Sequence, residues 1–177
     1  MFEFEMPGDI NDLKSMELEL CEYLGFDEIT EKTYREWQQH YKVDFDSELE
    51  AEHETAMYNN FGSCMITDFP EFTSPFWNMS RHADGVHSKK IDVILGGMET
   101  IGSAERSTDV EQMRDTFHTI TEGAYSSLLF DLFSKERVEG ELEEFLQHDF
   151  FPRVGGGIGM TRMIAALEKL EVAEKAA

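Results

Sequence analysis

The sequence FFPRVGGGIGMTRMIAAL, residues 150–167, decides the fold prediction, because an extended, glycine-rich stretch leads directly into an apolar helical repeat. Glycine lets another group approach the backbone closely. A strand that ends in Gly155, Gly156, Gly157 and Gly159 can therefore lie against a flat ligand such as a purine. The periodic residues that follow predict a helix over 160–174.

Arg162 stands in the first turn of that helix, where the helix dipole favours anions rather than cations. A phosphate bound at the same place would account for the arginine, since the side chain and the helix end would then contact one anion. A glycine-rich turn followed by a solvated arginine explains the spacing equally well. The P-loop pattern fails because no Gly-Lys-Ser/Thr follows, and the dinucleotide-binding pattern lacks its βαβ context.

The other periodic stretches predict an α+β fold, in which helices pack on an antiparallel sheet. The predicted strands are residues 1–6, 63–68 and 91–97, with METIG at 98–102 continuing the sheet and FWNM at 76–79 as a further candidate. The predicted helices cover residues 10–24, 48–59, 109–121, 123–134 and 135–147. The remainder of 30–60 is polar and weakly patterned. Phe69, Phe72, Phe76 and Trp77 are interpreted as core residues rather than as a stacking platform.

The composition fits one globular domain over residues 1–177. The formal net charge is −22, and an acidic surface repels phosphate backbones, so the composition disfavours nucleic-acid binding outside a local positive patch. No apolar run approaches the length of a membrane span. Cys21 and Cys64 form neither a disulfide framework nor a metal-ligand spacing, and His82 and His87 lack a third zinc ligand. These features predict a soluble, cytoplasmic protein without membrane partners.

Four stretches carry a resemblance to a known family. GGGIGMTR, residues 155–162, resembles motif 3 of class II aminoacyl-tRNA synthetases, and also the ammonia-dependent asparagine synthetases that share the fold. DVILGGMETIGSAER, residues 92–106, is similar to an asparaginyl- and aspartyl-tRNA synthetase segment in which an aspartate and a glutamate precede an arginine. MITDFPEFTSPFWNM, residues 65–79, and the opening FEFEM resemble two further strands of these enzymes. The resemblance implies an incomplete class II catalytic fold, similar to that of biotin ligases.

The resemblance also implies the chemistry and the residues that carry it. The enzyme would use ATP and Mg²⁺ to activate aspartate or asparagine as an aminoacyl-adenylate. Asp92 and Glu99 would bind the metal, Arg106 would bind the substrate side chain, and Arg162 would hold the γ-phosphate of ATP. The remaining implied roles are an adenosine site at Gly155, Gly157 and Gly159, an amino acid pocket floored by Gly102 and Ser103, and a place beside ATP for Glu5.

The resemblance leaves several alternatives open. The acceptor is either tRNA or ammonia: the stretch at residues 92–106 favours the tRNA enzymes, which is the main interpretation, whereas the glycine-rich stretch and the acidity of the chain favour the amide synthetase. Motif 1, the first half of motif 2 with its arginine, and an anticodon-binding domain are not recognised in the sequence. The chain is therefore expected to be a fragment, one part of a split enzyme or a paralogue without activity. A homodimer, or a partner chain that supplies the missing half, is expected to complete the site.

Overall fold

The computed structural model describes residues 1–176, with side chains through residue 172. Its strands are β1 (Phe2–Pro7), β2 (Ile29–Thr33), β3 (Ser63–Pro70), β4 (His87–Leu95), β5 (Met98–Glu105) and β6 (Arg153–Ile158). Its helices are α1 (Ile10–Tyr23), α2 (Tyr34–Tyr41), α3 (Ala51–Phe61), α4 (Val110–Thr119), α5 (Ala124–Phe133), α6 (Lys135–Leu146) and α7 (Met160–Ala176). None of the helices described over residues 1–176 combines the length and apolar composition needed to cross a bilayer.

The six strands form one sheet in the order β1-β6-β5-β4-β3-β2. Four neighbouring pairs are antiparallel, but β2 and β3 are parallel. The predicted sheet with flanking helices is confirmed, with antiparallel pairing except at this edge, so the sheet is mixed. The physical reason is the connection, because α2 and α3 lie between β2 and β3 and carry the chain back to start a parallel strand.

Alternation along the strands separates the two faces of the sheet. The core face, defined by residues such as Met65, Val93 and Ile101, packs against Leu13 of α1 and Met163 of α7. The opposite face, which we call the cavity face, carries a second cluster in which Trp37 of α2 and Met57 of α3 pack on Cys64, Ile66 and Ile94. These two helices cover the cavity face over β3 and β4, and they make few contacts with β1 and β6.

A third cluster joins α4 and α6 to the loop after β3. Trp77 packs with Met113, Phe117, Val138 and Leu142, together with other residues of these helices. The predicted helices at 109–121, 123–134 and 135–147 are confirmed as α4, α5 and α6. Of the aromatic residues interpreted as core, Phe69 and Trp77 are buried as predicted, whereas Phe76 is 40% exposed.

The sequence interpretation missed β2 and α2 and placed one strand wrongly. The helix α2 begins with a capping box in which Thr33 and Glu36 exchange hydrogen bonds, and its Trp37 is fully buried. Residues 76–79 form no strand; within them, Met79 makes an isolated bridge to Arg106. The predicted helix at 48–59 is confirmed as α3, shifted to Ala51–Phe61.

Glu17 is an acidic residue inside the core. It lies on α1, is completely buried, and its carboxyl oxygens have no hydrogen-bond partner of good geometry. Burial raises the pKa of Glu17 to about 8, the nearby Ser103 hydroxyl opposes this shift, and the charge of Asp92 adds to it. The folded protein therefore holds this proton to a higher pH than the unfolded chain does.

We expect the free energy of unfolding to fall with rising pH because of Glu17. The contribution of Glu17 to the free energy of unfolding is fully present below pH 4.5, which is the ordinary pKa of a glutamate side chain. It is lost as the pH rises to about 8, the pKa of Glu17 in the folded protein. The slope should be roughly 1 kcal/mol per pH unit, and Glu17→Gln should remove it. Urea unfolding between pH 4.5 and 9 measures this, with Glu19→Gln on the exposed side of α1 as the control. Equal slopes for wild type and Glu17→Gln would contradict the assignment.

Candidate functional site

An open cavity of about 590 Å³ lies on the cavity face, over β5, β6 and β1. Its lining residues are Met1, Glu3, Phe4, Glu5, Glu99, Gly102, Arg106, Gly156 and Gly157. The floor is flat because Gly102 pairs with Gly157 across β5 and β6, and neither residue has a side chain to project from the sheet. Charged side chains surround this bare strip.

These positions need glycine because other atoms lie close to the backbone, and not because the backbone adopts unusual angles. None of Gly102, Gly155 and Gly157 has a φ in the left-handed region. A Cβ on Gly102 would lie 2.6 Å from Glu99 Oε1, and a Cβ on Gly155 would lie 2.5 Å from Glu5 Cγ. The absence of these side chains therefore makes room for two carboxylates. This agrees with the sequence-based expectation that these glycines allow close approach to the backbone.

Two acidic side chains meet above Gly102. Asp92 pairs directly with Gly102 in the sheet, and its Oδ1 lies 3.5 Å from the position of the Cβ that glycine lacks, beside Glu99 Oε1. This Oδ1 is buried without a hydrogen-bond partner, while Oδ2 forms an ion pair with Lys90. Burial raises the pKa of Asp92, and the charge of Lys90 opposes the shift. The arrangement offers an unused, hard oxygen ligand in a protected position.

A third acid supports this pair from α3. The backbone N–H of Glu99 donates to Glu54 Oε2 over 2.8 Å. Burial raises the pKa of Glu54, and the charge of Glu99 adds to the shift. Among the described side chains, no group of three or more has the geometry of a complete protein-only metal site. Mg²⁺ is commonly bound by one or two carboxylates together with substrate phosphates, so this donor set fits Mg²⁺.

Arg162 lies at the same end of the cavity, in the first turn of α7. Its Nη1 donates to the Glu99 carbonyl over 2.6 Å and lies 3.7 Å from Glu99 Oε2. The side chain is 53% exposed, so its remaining donors face solvent. Arg162 is thereby joined to the acid pair.

Two more arginines lie at the other end of the cavity, on either side of Glu5. The Nε of Arg106 is 3.0 Å from Glu5 Oε1, and the Nε of Arg153 is 3.7 Å from Glu5 Oε2. The backbone N–H of Arg106 donates to the carbonyl of Arg153 over 2.8 Å, which places the two residues opposite each other. The cavity therefore has a guanidinium group at each end and a flat strip between them.

The sequence matches the family model of class II tRNA synthetases (D, K and N) over residues 11–176. The chain belongs to this family. Its fold is similar to asparaginyl-tRNA synthetase from Pyrococcus horikoshii, with a TM-score of 0.73 at 17% identity over 95% of this chain and 45% of that one. It is also similar to aspartyl-tRNA synthetase from Entamoeba histolytica, with a TM-score of 0.69 at 16% identity over 94% and 39%.

The P. horikoshii enzyme complexed with asparaginyl-adenylate matches equally well, with a TM-score of 0.73 at 16% identity over 95% of this chain and 44% of that one. The chain thus spans less than half the length of these structures. No curated protein sequence matches it. The resemblance to class II synthetases and the class II catalytic fold are confirmed.

The fold brings together most of the side chains that the resemblance implied for a synthetase site. Glu99 lines one end of the cavity, with Asp92 and Arg162 beside it, and Glu5 and Arg106 line the other end. Gly102 and Gly157 form the floor, while Gly155 accommodates Glu5 and the N–H of Gly159 donates to the Thr100 carbonyl over 2.9 Å.

Ser103 is an exception among the implied residues. Its side chain points to the core face, where its hydroxyl donates to the Ile91 carbonyl over 3.3 Å, and it is 3% exposed. Consecutive strand residues point to opposite faces of the sheet, so the Ser103 side chain points away from the face on which Gly102 forms the cavity floor. The Ser103 side chain therefore does not face the cavity, and only the backbone of Ser103 is left to contribute to the predicted pocket floor.

Four charged residues next to the implied site residues were missed by sequence reasoning. They are Glu3, Glu54, Lys90 and Arg153. Three of them lie two positions from an implied site residue on the same strand, and therefore on the same face of the sheet. These are Glu3 (from Glu5), Lys90 (from Asp92) and Arg153 (from Gly155). Glu54 lies on α3, and sequence spacing carries no signal for its approach to Glu99.

We expect Gly155→Ala to lower the free energy of unfolding by about 1–3 kcal/mol, as overpacking does. The new Cβ would meet Glu5 Cγ at 2.5 Å and the Phe4 carbonyl oxygen at 2.8 Å, and the backbone contact cannot be relieved by turning a side chain. Gly140→Ala is the matched control, since nothing lies within 4 Å of its Cβ and alanine favours the helix by roughly 0.4–1 kcal/mol. Urea unfolding measures both. An equal effect of the two substitutions would contradict the packing argument.

Proposed function

We propose that this chain binds ATP with Mg²⁺ and an aspartate or asparagine molecule in the cavity, and that it joins them as an aminoacyl-adenylate. The observation that carries the proposal is the pair of guanidinium groups, Arg106 and Arg162, at opposite ends of a flat, glycine-floored strip. Two negatively charged reactants must meet in this reaction, so positioned cations supply most of the catalysis.

The charges around the cavity support a role for Mg²⁺. Glu3, Glu5 and Glu99 line the cavity, and a triphosphate entering alone would be repelled by them. Asp92 and Glu99 would hold the ion, and Glu54 would fix Glu99 through its backbone N–H. When bound there, Mg²⁺ supplies positive charge that neutralises phosphate oxygens as charge develops on them.

The protein residues bind and orient the reactants. We assign the γ-phosphate to Arg162, adenosine to the strand at Gly155, Gly157 and Gly159, and the substrate side chain to Arg106. Glu5, which the resemblance places beside ATP, is assigned to the amino acid end because it contacts Arg106. One carboxylate oxygen of the amino acid then attacks the α-phosphorus, the bond to the bridging oxygen breaks, and pyrophosphate leaves with that electron pair.

The comparisons support a tRNA-charging ligase over an amide synthetase, because the similar structures are asparaginyl- and aspartyl-tRNA synthetases. The P. horikoshii and E. histolytica asparaginyl enzymes have each been solved with asparaginyl-adenylate. Transfer to tRNA, and a homodimer or partner chain that completes the site, stay predictions.

We expect the protein to catalyse ATP–pyrophosphate exchange that requires Mg²⁺ and either aspartate or asparagine. Arg162→Ala should weaken the affinity for Mg-ATP by on the order of tenfold or more, because a charge-assisted contact to the phosphate is lost. Arg137→Ala is the control, since Arg137 is an exposed residue of α6 that pairs with Glu141. Calorimetry with Mg-ATP and the exchange assay measure these effects.

The outcomes separate the alternatives. Binding of Mg-ATP without exchange would favour a non-catalytic paralogue or a subunit that needs a partner. Absence of Mg-ATP binding in a folded protein, or equal effects of Arg162→Ala and Arg137→Ala, would contradict the proposal.

Gly157→Val tests the placement of adenosine. Valine at this position projects into the cavity from its floor, so we expect Mg-ATP binding to be lost on steric grounds. A Cβ at position 157 would lie 2.8 Å from Met1 Sδ, which belongs to a flexible side chain that can move aside. The fold should therefore tolerate the change. Unchanged ATP affinity in a folded Gly157→Val variant would show that adenosine lies elsewhere.

A further inference from the structure

Next to the amino acid end of the cavity, in contact with the lining residue Glu5, lies an arginine that no part of the proposed reaction has used. Arg153 opens β6, opposite Arg106 at the end of β5. Strand alternation places Arg153 on the same face as Gly155 and Gly157, which is the cavity face. Like charges directly opposite each other in a sheet are destabilising, so this pair of arginines requires an explanation.

Glu5 partly compensates the two guanidinium groups. Its two carboxylate oxygens face different arginines, Oε1 at 3.0 Å from Arg106 and Oε2 at 3.7 Å from Arg153. The arginine side chains are only 18% and 15% exposed, whereas that of Glu5 is 54% exposed. Two largely buried cations therefore share one exposed anion, and burial makes an unpaired charge costly.

The other charges nearby do not cancel the surplus. Glu105 follows Ala104 on the core face, where its Oε1 pairs with Lys89 over 2.6 Å and its Oε2 accepts from the Ile10 N–H over 2.9 Å. The guanidinium of Arg153 lies 5.2 Å from the centre of the Phe150 ring, which is an aromatic rather than an ionic contact. The two arginines and the carboxylate that contacts them sum to one positive charge, in a protein whose net charge is −22. Glu3, two residues before Glu5 on the same face, also lines the cavity but forms, among the described side chains, no ion pair with either arginine.

We propose that Arg153 is a specificity-determining residue that, together with Arg106, selects a substrate with a free side-chain carboxylate over one with a side-chain amide. The proposal rests on the proposed function and deepens it, because it identifies aspartate rather than asparagine as the amino acid. A carboxylate can accept hydrogen bonds from both guanidinium groups and balances their charges with Glu5. An amide has one accepting oxygen, and its NH₂ group would face a cation.

Calorimetry with L-aspartate and L-asparagine tests the proposal on the full chain without nucleotide. Aspartate should bind at least tenfold more tightly than asparagine, as expected for charge-assisted hydrogen bonds. Arg153→Gln should reduce that preference to about threefold or less by weakening aspartate binding, with the affinities for asparagine and Mg-ATP unchanged. Arg153→Lys keeps the charge and should restore part of the preference. Arg137→Gln serves as the surface control.

A second variant keeps the test informative if Arg153→Gln does not fold. Glu5→Gln removes the competing carboxylate, so the affinity for aspartate should increase while that for asparagine stays the same. Because Glu5 also pairs with Arg106, the gain is compared between Glu5→Gln and the double variant Glu5→Gln/Arg153→Lys. A smaller gain in the double variant supports the role of Arg153, whereas an equal gain in both would mean that Arg153 is merely structural and would overturn the proposal.

Asparagine binding as tight as aspartate binding, or an unchanged preference in Arg153→Gln, would overturn the proposal. Pyrophosphate exchange driven by asparagine rather than aspartate would overturn it while supporting the proposed function. Binding of Mg-ATP with neither amino acid would also overturn it.

Discussion

The pairing of Gly102 with Gly157 across β5 and β6 is the constraint on which the site depends. Two neighbouring strands without side chains on one face leave a flat strip, and the charged residues of flanking positions turn toward it. A side chain at position 102 would displace the Glu99 carboxylate, and one at 155 would displace Glu5. The same bare strip that can accept a flat ligand therefore also sets the positions of the acids that surround it.

The distribution of charge is the second feature that gives the site its character. The chain carries 37 acidic and 15 basic residues, yet three arginines are placed at the two ends of one cavity. Each is held by an acid, Arg162 by Glu99 and the other two by Glu5. In an acidic protein, such pairs hold the guanidinium groups in position beside the cavity. The overall charge therefore says little about what the cavity binds.

Much of the fold could be predicted because its central elements carry strong local signals. The apolar run of β4, the glycine-rich β6 and the periodic α1 and α7 are readable from sequence alone. β2 and α2 were missed because their segment is polar overall and α2 has only eight residues, so its buried side chains Tyr34, Trp37 and Gln38 give too few positions for a repeat to be recognised. The capping box at Thr33 and Glu36 was the available signal. The candidate site residues came from the resemblance, whereas the orientation of the Ser103 side chain, opposite to the face of Gly102, needed the alternation of side chains along the strand.

The cation at the start of α7 shows why local reasoning about Arg162 was incomplete. The helix dipole disfavours an arginine in the first turn, and sequence reasoning therefore sought a phosphate to justify it. In the folded chain, Gly159 ties the start of α7 to β5 through the Thr100 carbonyl, and this brings Arg162 to the carbonyl of Glu99. A strand end, which exposes a partly negative carbonyl, thus offsets the unfavourable helix end. Because one hydrogen bond occupies only part of the guanidinium and the side chain is half exposed, the remaining donors are still available to an anion in the cavity.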